Sequence, residues 1–170
     1  NKKVFEDFSI DFPYGSKTAI VGENGSGKTT LFNLITKLYT PTYGKISLGK
    51  IDIQYIDAKY YRELFSIVSQ EVFLFNDTIR NNICMYKEYE NDKLERVIKC
   101  VLLNDLINEK TLDYIVGDNG SKLSGGQRQK IALARAIIKD FKILLLDEAM
   151  SNIDYEYEMI LDRIIQEYCV

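Results

Sequence analysis

The chain has 170 residues, of which 46% are hydrophobic and 28% charged, a composition typical of one globular domain with an ordinary core. Its formal net charge is −3 and its pI is near 5.1, so we expect no basic surface and no nucleic-acid partner. The cysteines Cys84, Cys100 and Cys169 lack metal-ligand spacing, which predicts reduced thiols and excludes a zinc site. No apolar run approaches the roughly 18 residues that a membrane-spanning helix requires.

The chain opens with residues 4–12, in which apolar side chains alternate with acidic or polar ones. This period predicts a half-exposed antiparallel strand, and residues 13–16 (P-Y-G-S) predict a turn after it. The apolar residues 18–21 then predict a second short strand.

Residues 22–29 read G-E-N-G-S-G-K-T and lead directly into an apolar helical pattern, which is the context of a phosphate-binding P-loop. Glycines at 22, 25 and 27 allow positive φ angles and let backbone N–H groups approach a polyphosphate closely. A helix that begins near Gly27 adds its unpaired first-turn donors and the positive end of its dipole.

Each remaining side chain of the loop has an expected role. Lys28 is expected to reach the β- and γ-phosphates of a nucleotide, and the Thr29 hydroxyl to ligate its Mg²⁺. Thr30 is expected to contact the α-phosphate. The predicted nucleotide-binding residues of this loop are Gly22, Glu23, Asn24, Gly25, Ser26, Gly27, Lys28, Thr29 and Thr30.

After the loop, apolar residues from Leu31 to Leu38 recur at helical spacing, and Pro41 with Gly44 is expected to end this helix. Residues 45–48 and 51–53 predict a hairpin around Gly49 and Lys50. Residues 65–68 form a compact apolar run that ends in Ser69-Gln70, which predicts a buried strand with a polar pair at its carboxyl end.

From residue 77 to about residue 112 the pattern is helical, with Asp77-Thr78 and Asn91-Asp92 as expected N-caps. A loop at 116–120 follows, then L-S-G-G-Q at 123–127, a helix at 128–139 and four aliphatic residues at 143–146. A final helix is predicted from 155 to about 168, with Ile160, Leu161, Ile164 and Ile165 on one face. Strands that alternate with helices predict an α/β sheet layered between helices.

Asp147 and Glu148 end the aliphatic run, which predicts a central parallel strand whose carboxyl end faces a ligand crevice. In P-loop NTPases an Asp at this place holds Mg²⁺ opposite the P-loop Ser/Thr, and a neighbouring carboxylate can orient and deprotonate the attacking water. Gln70, at the end of another strand, is a candidate to touch Mg²⁺ or that water. Taken alone, the acidic pair would fit a solvated loop, and Gln70 an ordinary polar loop residue.

The ordered motifs resemble those of ATP-binding-cassette (ABC) ATPases. The resemblance includes the P-loop, Gln70 at the place of the Q-loop glutamine, the signature at 123–127, the Asp147-Glu148 pair, and S-N-I-D at 151–154, which is similar to the D-loop. Ser124 and Gln127 also fit a helix capping box, and both interpretations can hold together because the two glycines between them leave bare N–H groups.

Two further stretches resemble exporters that carry membrane and ATPase domains on one polypeptide. The first is Q-E-V-F-L-F-N-D-T-I-R-N-N-I at 70–83. The second is V-G-D-N-G at 116–120, which is similar to an exporter loop that usually ends in V-G-E-x-G, so Asp118 stands where Glu is usual.

The resemblance implies an α/β fold: a P-loop NTPase core of the RecA-like type with a mostly parallel sheet, an N-terminal antiparallel β part and an inserted helical subdomain. A single ABC ATPase domain would span residues 1–170, with the core and β part at about 1–76 and 139–170. The helical subdomain that carries the signature would lie at about 77–138.

The family also implies functional residues. Lys28, Gln70 and Glu148 would be catalytic, and Thr29, Gln70 and Asp147 would hold Mg²⁺. ATP would be bound by the P-loop residues and Gln70 of one chain and, in trans, by the signature of a second chain. The signature residues concerned are Leu123, Ser124, Gly125, Gly126 and Gln127.

The implied function is ATP hydrolysis that drives export through ATP-dependent head-to-tail dimerisation. The partners would be a second ABC domain and a transmembrane domain, expected on the same polypeptide, which would place the chain at the cytoplasmic face of a membrane. The alternatives are a soluble ABC ATPase that does not transport and a module that binds ATP only to dimerise.

The family usually supplies an adenine-stacking aromatic residue and a γ-phosphate histidine. The first would lie upstream of residue 4 and the second downstream of residue 170, and the chain contains no histidine. We therefore expect a fragment truncated at both ends that by itself binds ATP poorly and hydrolyses little of it.

Overall fold

The computed structural model describes residues 3–69, 71–147 and 155–168. Within them the chain has a mixed α/β architecture and divides into a first unit, Asn1–Phe65, and a second unit, Ser66–Val170. The helices are α1 (Lys28–Ile35), α2 (Ala58–Glu63), α3 (Ile79–Cys84), α4 (Asn91–Cys100), α5 (Asn104–Lys110), α6 (Gly125–Ile138) and α7 (Tyr155–Tyr168). The strands are β1 (Ser47–Leu48), β2 (Ile51–Asp52), β3 (Phe65–Val68) and β4 (Ile143–Leu146).

The first unit has a small core around α1. Its buried apolar side chains are Leu31, Ile53, Tyr61 and Phe65. The Tyr61 and Phe65 rings meet edge to face at 5.1 Å, and the Tyr61 hydroxyl donates to the Ile35 carbonyl oxygen at 2.8 Å. The second helix therefore holds the carboxyl end of α1 in place. Strands β1 and β2 pair antiparallel across Gly49-Lys50, which confirms the predicted hairpin.

Helix α1 ends at Ile35, several residues before the predicted end at Pro41 and Gly44. Lys37 adopts a left-handed φ of 58°. Its N–H donates to the Leu34 oxygen, and the Leu38 N–H donates to the Asn33 oxygen. These two bonds form a Schellman motif, in which a left-handed residue ends a helix. The Lys37 ammonium adds bonds to the Ile53 and Ile56 oxygens at 2.7 and 2.6 Å, so tertiary contacts hold the residue in this conformation.

The strands predicted at residues 4–12 and 18–21 were wrong, because neither segment is a strand in the structure. The alternating side chains of the first segment are largely exposed, including Val4, Phe8, Ile10 and Phe12. A strand exists only when a neighbouring strand takes up its N–H and C=O groups. Neither segment pairs with another strand within the described part of the chain.

Helix α2 was not predicted. It begins after Asp57, whose carboxylate accepts from the N–H groups of Lys59 and Tyr60 at 2.9 and 3.2 Å. An Asp followed by A-K-Y-Y-R-E is a recognisable N-cap signal, although the helix is too short to show a clear apolar period.

The second unit is built around α6, which packs against α3 and α4, while α7 packs against α4. Ile131, Ala134 and Ile138 recur at helical spacing on α6 and are buried. Three of the four apolar residues predicted to share one face of α7, Ile160, Leu161 and Ile164, are also buried in this core. The helices predicted at 77–112, 128–139 and 155–168 therefore exist, with the first region split into α3, α4 and α5.

The caps of these helices were predicted in part. Thr78 caps α3, since its hydroxyl accepts from the Asn81 N–H at 3.0 Å. The expected cap at Asn91-Asp92 was wrong: α4 already begins at Asn91, and its N-cap is Glu90, whose side chain makes no capping bond. Asp92 lies instead in the first turn, where its negative charge favours the helix dipole.

Strands β3 and β4 pair in a two-stranded sheet. The N–H of Asp147, just after β4, donates to the oxygen of Val68, the last residue of β3, so the carboxyl ends of the strands lie together and the pair is parallel. The Ser66 hydroxyl donates to the Ala136 oxygen, which ties this sheet to α6. A parallel strand at 143–146 was predicted correctly, but its central position was not: among the described residues β4 pairs only with β3, and its side chains are half-buried.

Cys84 and Cys100 are free and buried, and burial raises the pKa of Cys100 to about 11. Cys169 lies outside the described residues. None of the helices that the structure describes is long and apolar enough to span a bilayer.

Candidate nucleotide-binding site

The P-loop forms an exposed turn that leads into α1. The Ser26 N–H donates to the Glu23 oxygen at 3.1 Å, which closes the turn at Asn24 and Gly25. Gly25 and Gly27 have φ angles of 81° and 104°. These two residues therefore use the left-handed conformations that the sequence predicted for the loop. The positive φ expected at Gly22 was wrong, although a Cβ there would lie only 2.7 Å from Ser26 Oγ.

Lys28 is the first residue of α1, and its side chain folds back over the loop. Its ammonium donates to the oxygens of Gly22 and Glu23 at 2.8 and 3.0 Å. An ammonium has three N–H donors, so one remains for an anion at the loop. The backbone carbonyls thus hold the positive charge above the start of the helix.

The first turn of α1 presents unsatisfied donors. Gly27 is the N-cap, and no side chain caps the helix. The first backbone bond that enters the helix runs from Leu31 to the Gly27 oxygen at 2.8 Å. The N–H groups of Lys28, Thr29 and Thr30 consequently have no acceptor within the part of the chain that the structure describes. Three such amides at the positive end of a helix are suited to bind a phosphate group.

Gly27 is also required by its surroundings. A Cβ at this position would lie 2.7 Å from Val4 Cγ1 and 3.0 Å from Phe5 Cζ. The Phe5 ring itself stacks on the Phe8 ring, with 5.0 Å between centroids. Val4 and Phe5 precede the P-loop and are not part of a strand. They nevertheless pack against the loop at Gly27, where the loop has no side chain.

The signature residues 123–127 form the N-terminus of α6. The Ser124 hydroxyl accepts from the Gln127 N–H at 3.2 Å, and the Gln127 side-chain oxygen accepts from the Ser124 N–H at 2.9 Å. This reciprocal pair is a capping box, as predicted. Leu123 is buried, and its carbonyl oxygen accepts from the Arg128 guanidinium at 3.0 Å.

Gly125 and Gly126 lie between the two capping residues and are exposed. A Cβ on Gly126 would meet no atom within 4 Å, and one on Gly125 would meet only the Arg128 side chain at 3.9 Å. Neither glycine has a positive φ. Within the described residues, packing and backbone conformation give no reason for glycine at either position.

The predicted metal and catalytic residues are described only in part. Thr29 is exposed in the first turn of α1. Asp147 follows β4 directly, with its N–H bound to Val68. Gln70, Glu148 and the D-loop-like residues 151–154 lie outside the described residues.

The two exporter-like stretches contact each other in the second unit. Residues 72–83 lie along residues 112–120 and are joined to them by both backbone and side-chain bonds. Asp118, at the position where Glu is usual, accepts from the Asn76 amide at 2.7 Å. Three further bonds join backbone groups: Ile79 N–H to Tyr114 O, Arg80 N–H to Leu112 O, and Val116 N–H to Asp77 O. The Leu74 N–H also donates to Asn119 Oδ1.

The charge of Asp77 is stabilised locally. Hydrogen bonds from the Tyr86 hydroxyl, the Thr78 N–H and the Asn81 amide hold the pKa of the Asp77 carboxyl below its usual range. A carboxylate that accepts several bonds favours its ionised form. Asp77 thus fixes the start of α3, next to the exporter-like loop.

Sequence reasoning missed Arg135. Its guanidinium donates to the Asn82 oxygen at 2.7 Å, to Asn82 Oδ1 at 3.1 Å and to the Phe73 oxygen at 2.9 Å. The Asn82 side chain is fully buried and in turn bonds the backbone of Phe75 in both directions. A single Arg within the otherwise apolar I-A-L-A-R-A-I-I at 131–138 was the available signal.

Comparisons with known proteins agree with this geometry. A family model described as "ABC transporter" matches residues 5–151. The chain is 44% identical over 170 residues to an ATP-dependent lipid A-core flippase of Vibrio parahaemolyticus serotype O3:K6 (strain RIMD 2210633), covering 98% of the chain and 29% of the relative. It is 45% identical over 154 residues to the flippase of the same name from Thiobacillus denitrificans (strain ATCC 25259 / T1), covering 88% and 27%.

A solved structure gives the same result for the fold. The chain matches the structure of a bacterial Atm1-family ABC exporter that was solved with ATP bound. The TM-score is 0.84 and the identity 36%, and the match covers 90% of this chain and 27% of that one. This match supports the α/β fold of an ABC ATPase. The chain spans less than a third of the length of these relatives.

Proposed function

This chain belongs to the ABC transporter family, and on that premise we propose that it binds and hydrolyses ATP to power export across a membrane. ATP would be held between the P-loop of one chain and the signature of a second chain arranged head to tail. The observation that carries the proposal is the bare N-terminus of α6, where two glycines are present that the described residues do not require.

The P-loop supports the nucleotide-binding part of the proposal. The free N–H groups at the start of α1 and the Lys28 ammonium converge on one exposed loop. A polyphosphate there would gain charge-assisted bonds from Lys28 and dipolar bonds from the helix. We propose that residues 22–30 bind ATP, with Lys28 contacting the β- and γ-phosphates.

The signature supports the dimeric part. Glycine destabilises a helix by roughly 0.5 to 1 kcal/mol relative to alanine. Because Gly125 and Gly126 have open space and ordinary helical φ angles, alanine would suit this chain better at both positions. A benefit outside the described residues is therefore needed to explain them, and close approach of a phosphate to their exposed N–H groups supplies one. We propose that residues 123–127 bind the ATP of the partner chain.

We propose that Thr29, Gln70 and Asp147 hold Mg²⁺. Their hydroxyl, amide and carboxylate oxygens, respectively, are suitable ligands for this ion. The ion would neutralise charge on the β- and γ-phosphates. Glu148 would orient and deprotonate the attacking water, and Gln70 would contact the same water.

The similar proteins named above are exporters and flippases, which supports a membrane role for the protein that carries this chain. We propose that a transmembrane domain is attached to the same polypeptide and that the chain works at the cytoplasmic face of the membrane. The proposed division into a core at about 1–76 and 139–170 and a helical subdomain at about 77–138 would let the signature move relative to the P-loop of its own chain.

Two substitutions in the full-length protein test the proposal. Lys28→Ala should lower ATP affinity by roughly 10- to 100-fold, because a charge-assisted phosphate contact is lost. Glu148→Gln should preserve ATP binding while kcat falls by about 100-fold or more, because the water loses its base. Nucleotide titration and phosphate release measure the two effects.

Lys45→Ala serves as the matched control, since Lys45 is an exposed lysine of the first unit outside the P-loop. It should change neither quantity. A Glu148→Gln protein that keeps more than about a tenth of the wild-type kcat would exclude the proposed base. Wild-type affinity in Lys28→Ala would exclude the proposed phosphate contact.

A further inference from the structure

Arg135 joins two elements of the second unit that are distant in sequence. It lies on the signature helix α6, and its guanidinium bonds the backbone of Phe73 and both oxygens of Asn82 at 2.7 to 3.1 Å. Phe73 lies 62 residues away and Asn82 53 residues away. One side chain thereby connects α6 to both ends of the segment 73–82.

The three bonds need the shape of arginine. A guanidinium is a planar fork with five N–H donors, so Nε, Nη1 and Nη2 can each reach a different acceptor. A lysine ammonium is a single point and cannot span acceptors that lie in different elements. The site is therefore specific for Arg rather than for positive charge alone.

The charge of Arg135 is partly buried without a carboxylate beside it. Among the described residues it forms no salt bridge, and its neighbours are carbonyl oxygens and the Phe75 ring, 6.0 Å from the guanidinium carbon. Burial lowers the pKa of Arg135, although the group remains cationic at neutral pH. An apolar side chain of similar volume would avoid this desolvation. It would also leave the Asn82 and Phe73 oxygens without these donors, so Arg135 is held by its three bonds, and these bonds fix the geometry between the two elements.

The two elements carry different functional surfaces. The segment 73–82 presents the exposed Phe73 and Phe75 rings, which meet edge to face at 5.2 Å. Helix α6 presents the bare signature N-terminus, about 16 Å from Arg135 at the usual rise of an α-helix. A straight helix transmits a displacement at one end to the other.

We propose that Arg135 is a positioning residue that makes segment 73–82 and the N-terminus of α6 move as one body during the ATP cycle. Movement of the aromatic pair would thereby shift Ser124, Gly125 and Gly126. The role in turnover rests on the proposed function, whereas the mechanical connection does not.

The test is Arg135→Lys in the full-length protein, with Arg96→Lys as the matched control. Arg96 lies on the exposed surface of α4 and, among the described residues, bonds only the Asp92 oxygen, one turn away. Arg135→Lys should lower kcat by about tenfold, because the charged hydrogen bonds that order the two elements are lost. The KM for ATP should stay within about twofold of wild type, since the P-loop is untouched. Arg96→Lys should change neither parameter.

Amide hydrogen exchange without nucleotide provides a second readout. Arg135→Lys should increase exchange in residues 73–82 and also at the first hydrogen-bonded amides of α6, residues 127–130. A purely structural role would increase exchange only around the lost bonds. A wild-type kcat in Arg135→Lys, or increased exchange confined to residues 73–82, would contradict the proposal.

The wild-type protein supplies a measurement that does not depend on folding of the variant. ATP should protect residues 73–82 and 125–128 with the same half-saturating concentration, and different concentrations would show that the segments move separately. If the wild-type protein did not hydrolyse ATP, the proposed function would fail. Comparing the hydrogen exchange of Arg135→Lys with that of wild type would still test whether Arg135 connects segment 73–82 to α6.

Discussion

Two helix N-termini of this chain are proposed to bind phosphate, and they are built differently. Helix α1 starts from Gly27, which has a φ of 104° and no side-chain cap. Helix α6 starts from Ser124, which is extended and takes part in a reciprocal capping box. Among the described residues, the N–H groups in the first turn of α1 have no acceptor, whereas α6 satisfies the Gln127 N–H and leaves those of Gly125 and Gly126 bare.

The role of glycine differs accordingly. At position 27 the backbone angle and the adjacent Val4 and Phe5 side chains exclude a Cβ. At position 126 the chain leaves open space and a normal helical angle. As far as the described residues show, the fold requires glycine at position 27 of the P-loop but not at position 126 of the signature. Substitutions at these positions should separate folding from ligand binding.

The largest effect should come from Ser124→Arg, which places a bulky cation over the bare N-terminus of α6. We expect it to abolish ATP-driven dimerisation of the full-length Glu148→Gln protein while ATP binding to the P-loop of each chain stays unchanged. Sedimentation with and without ATP measures the dimer. Ser124→Ala is the comparison: it removes the cap, at a cost of about 1 kcal/mol, and the hydroxyl without adding bulk, so it should weaken dimerisation less than Ser124→Arg does. Unchanged dimerisation in Ser124→Arg would contradict a nucleotide held between two chains.

Gly27→Ala should have the next largest effect. A non-glycine residue in a left-handed conformation costs roughly 1 to 2 kcal/mol, and the short contacts to Val4 and Phe5 add to this. We expect the free energy of unfolding to fall by about 2 to 3 kcal/mol, measured by denaturant titration without nucleotide.

Gly25→Ala is the matched control for Gly27→Ala. Gly25 also has a positive φ, 81°, but a Cβ there would meet no atom within 4 Å. It should therefore cost only the backbone strain, about 1 to 2 kcal/mol. Equal losses for the two variants would show that the Val4 and Phe5 contacts do not contribute.

The smallest effect, and one of opposite sign, should come from Gly126→Ala. Since alanine fits the helix and the space, we expect the free energy of unfolding to rise by about 0.5 kcal/mol. ATP-driven dimerisation should nevertheless weaken, because the new methyl group lies where the partner's phosphate would approach. A variant that is more stable and dimerises normally would remove the main support for the proposed trans site.

Several local features were predictable because their causes lie within a few residues. The start of α1 follows from the P-loop glycines, the capping box from Ser124 and Gln127, and the β1–β2 hairpin from Gly49-Lys50. The strands at 65–68 and 143–146 were recognisable as apolar runs that end in polar residues. In each case the residues that form the feature are neighbours in the chain.

Other features depend on partners that the local pattern does not contain. Residues 4–12 have the period of a strand, yet a strand also needs a paired neighbour. The end of α1 is set by Lys37, whose left-handed conformation is held by carbonyls 16 and 19 residues further on. Pro41 and Gly44 were therefore the wrong boundary, although both are common after helices.

The sequence by itself determined the family, the P-loop, the signature and the order of the main elements, because these are motifs of fixed spacing. Only the tertiary structure decided that Val4 and Phe5 pack on Gly27, that the two exporter-like stretches contact each other, and that Arg135 connects Phe73 and Asn82 to α6. The physical reason is that hydrogen bonds and close packing select partners by position in space. Arg135 and Asn82 are 53 residues apart, and only the packing of α3 against α6 brings them to 2.7 Å.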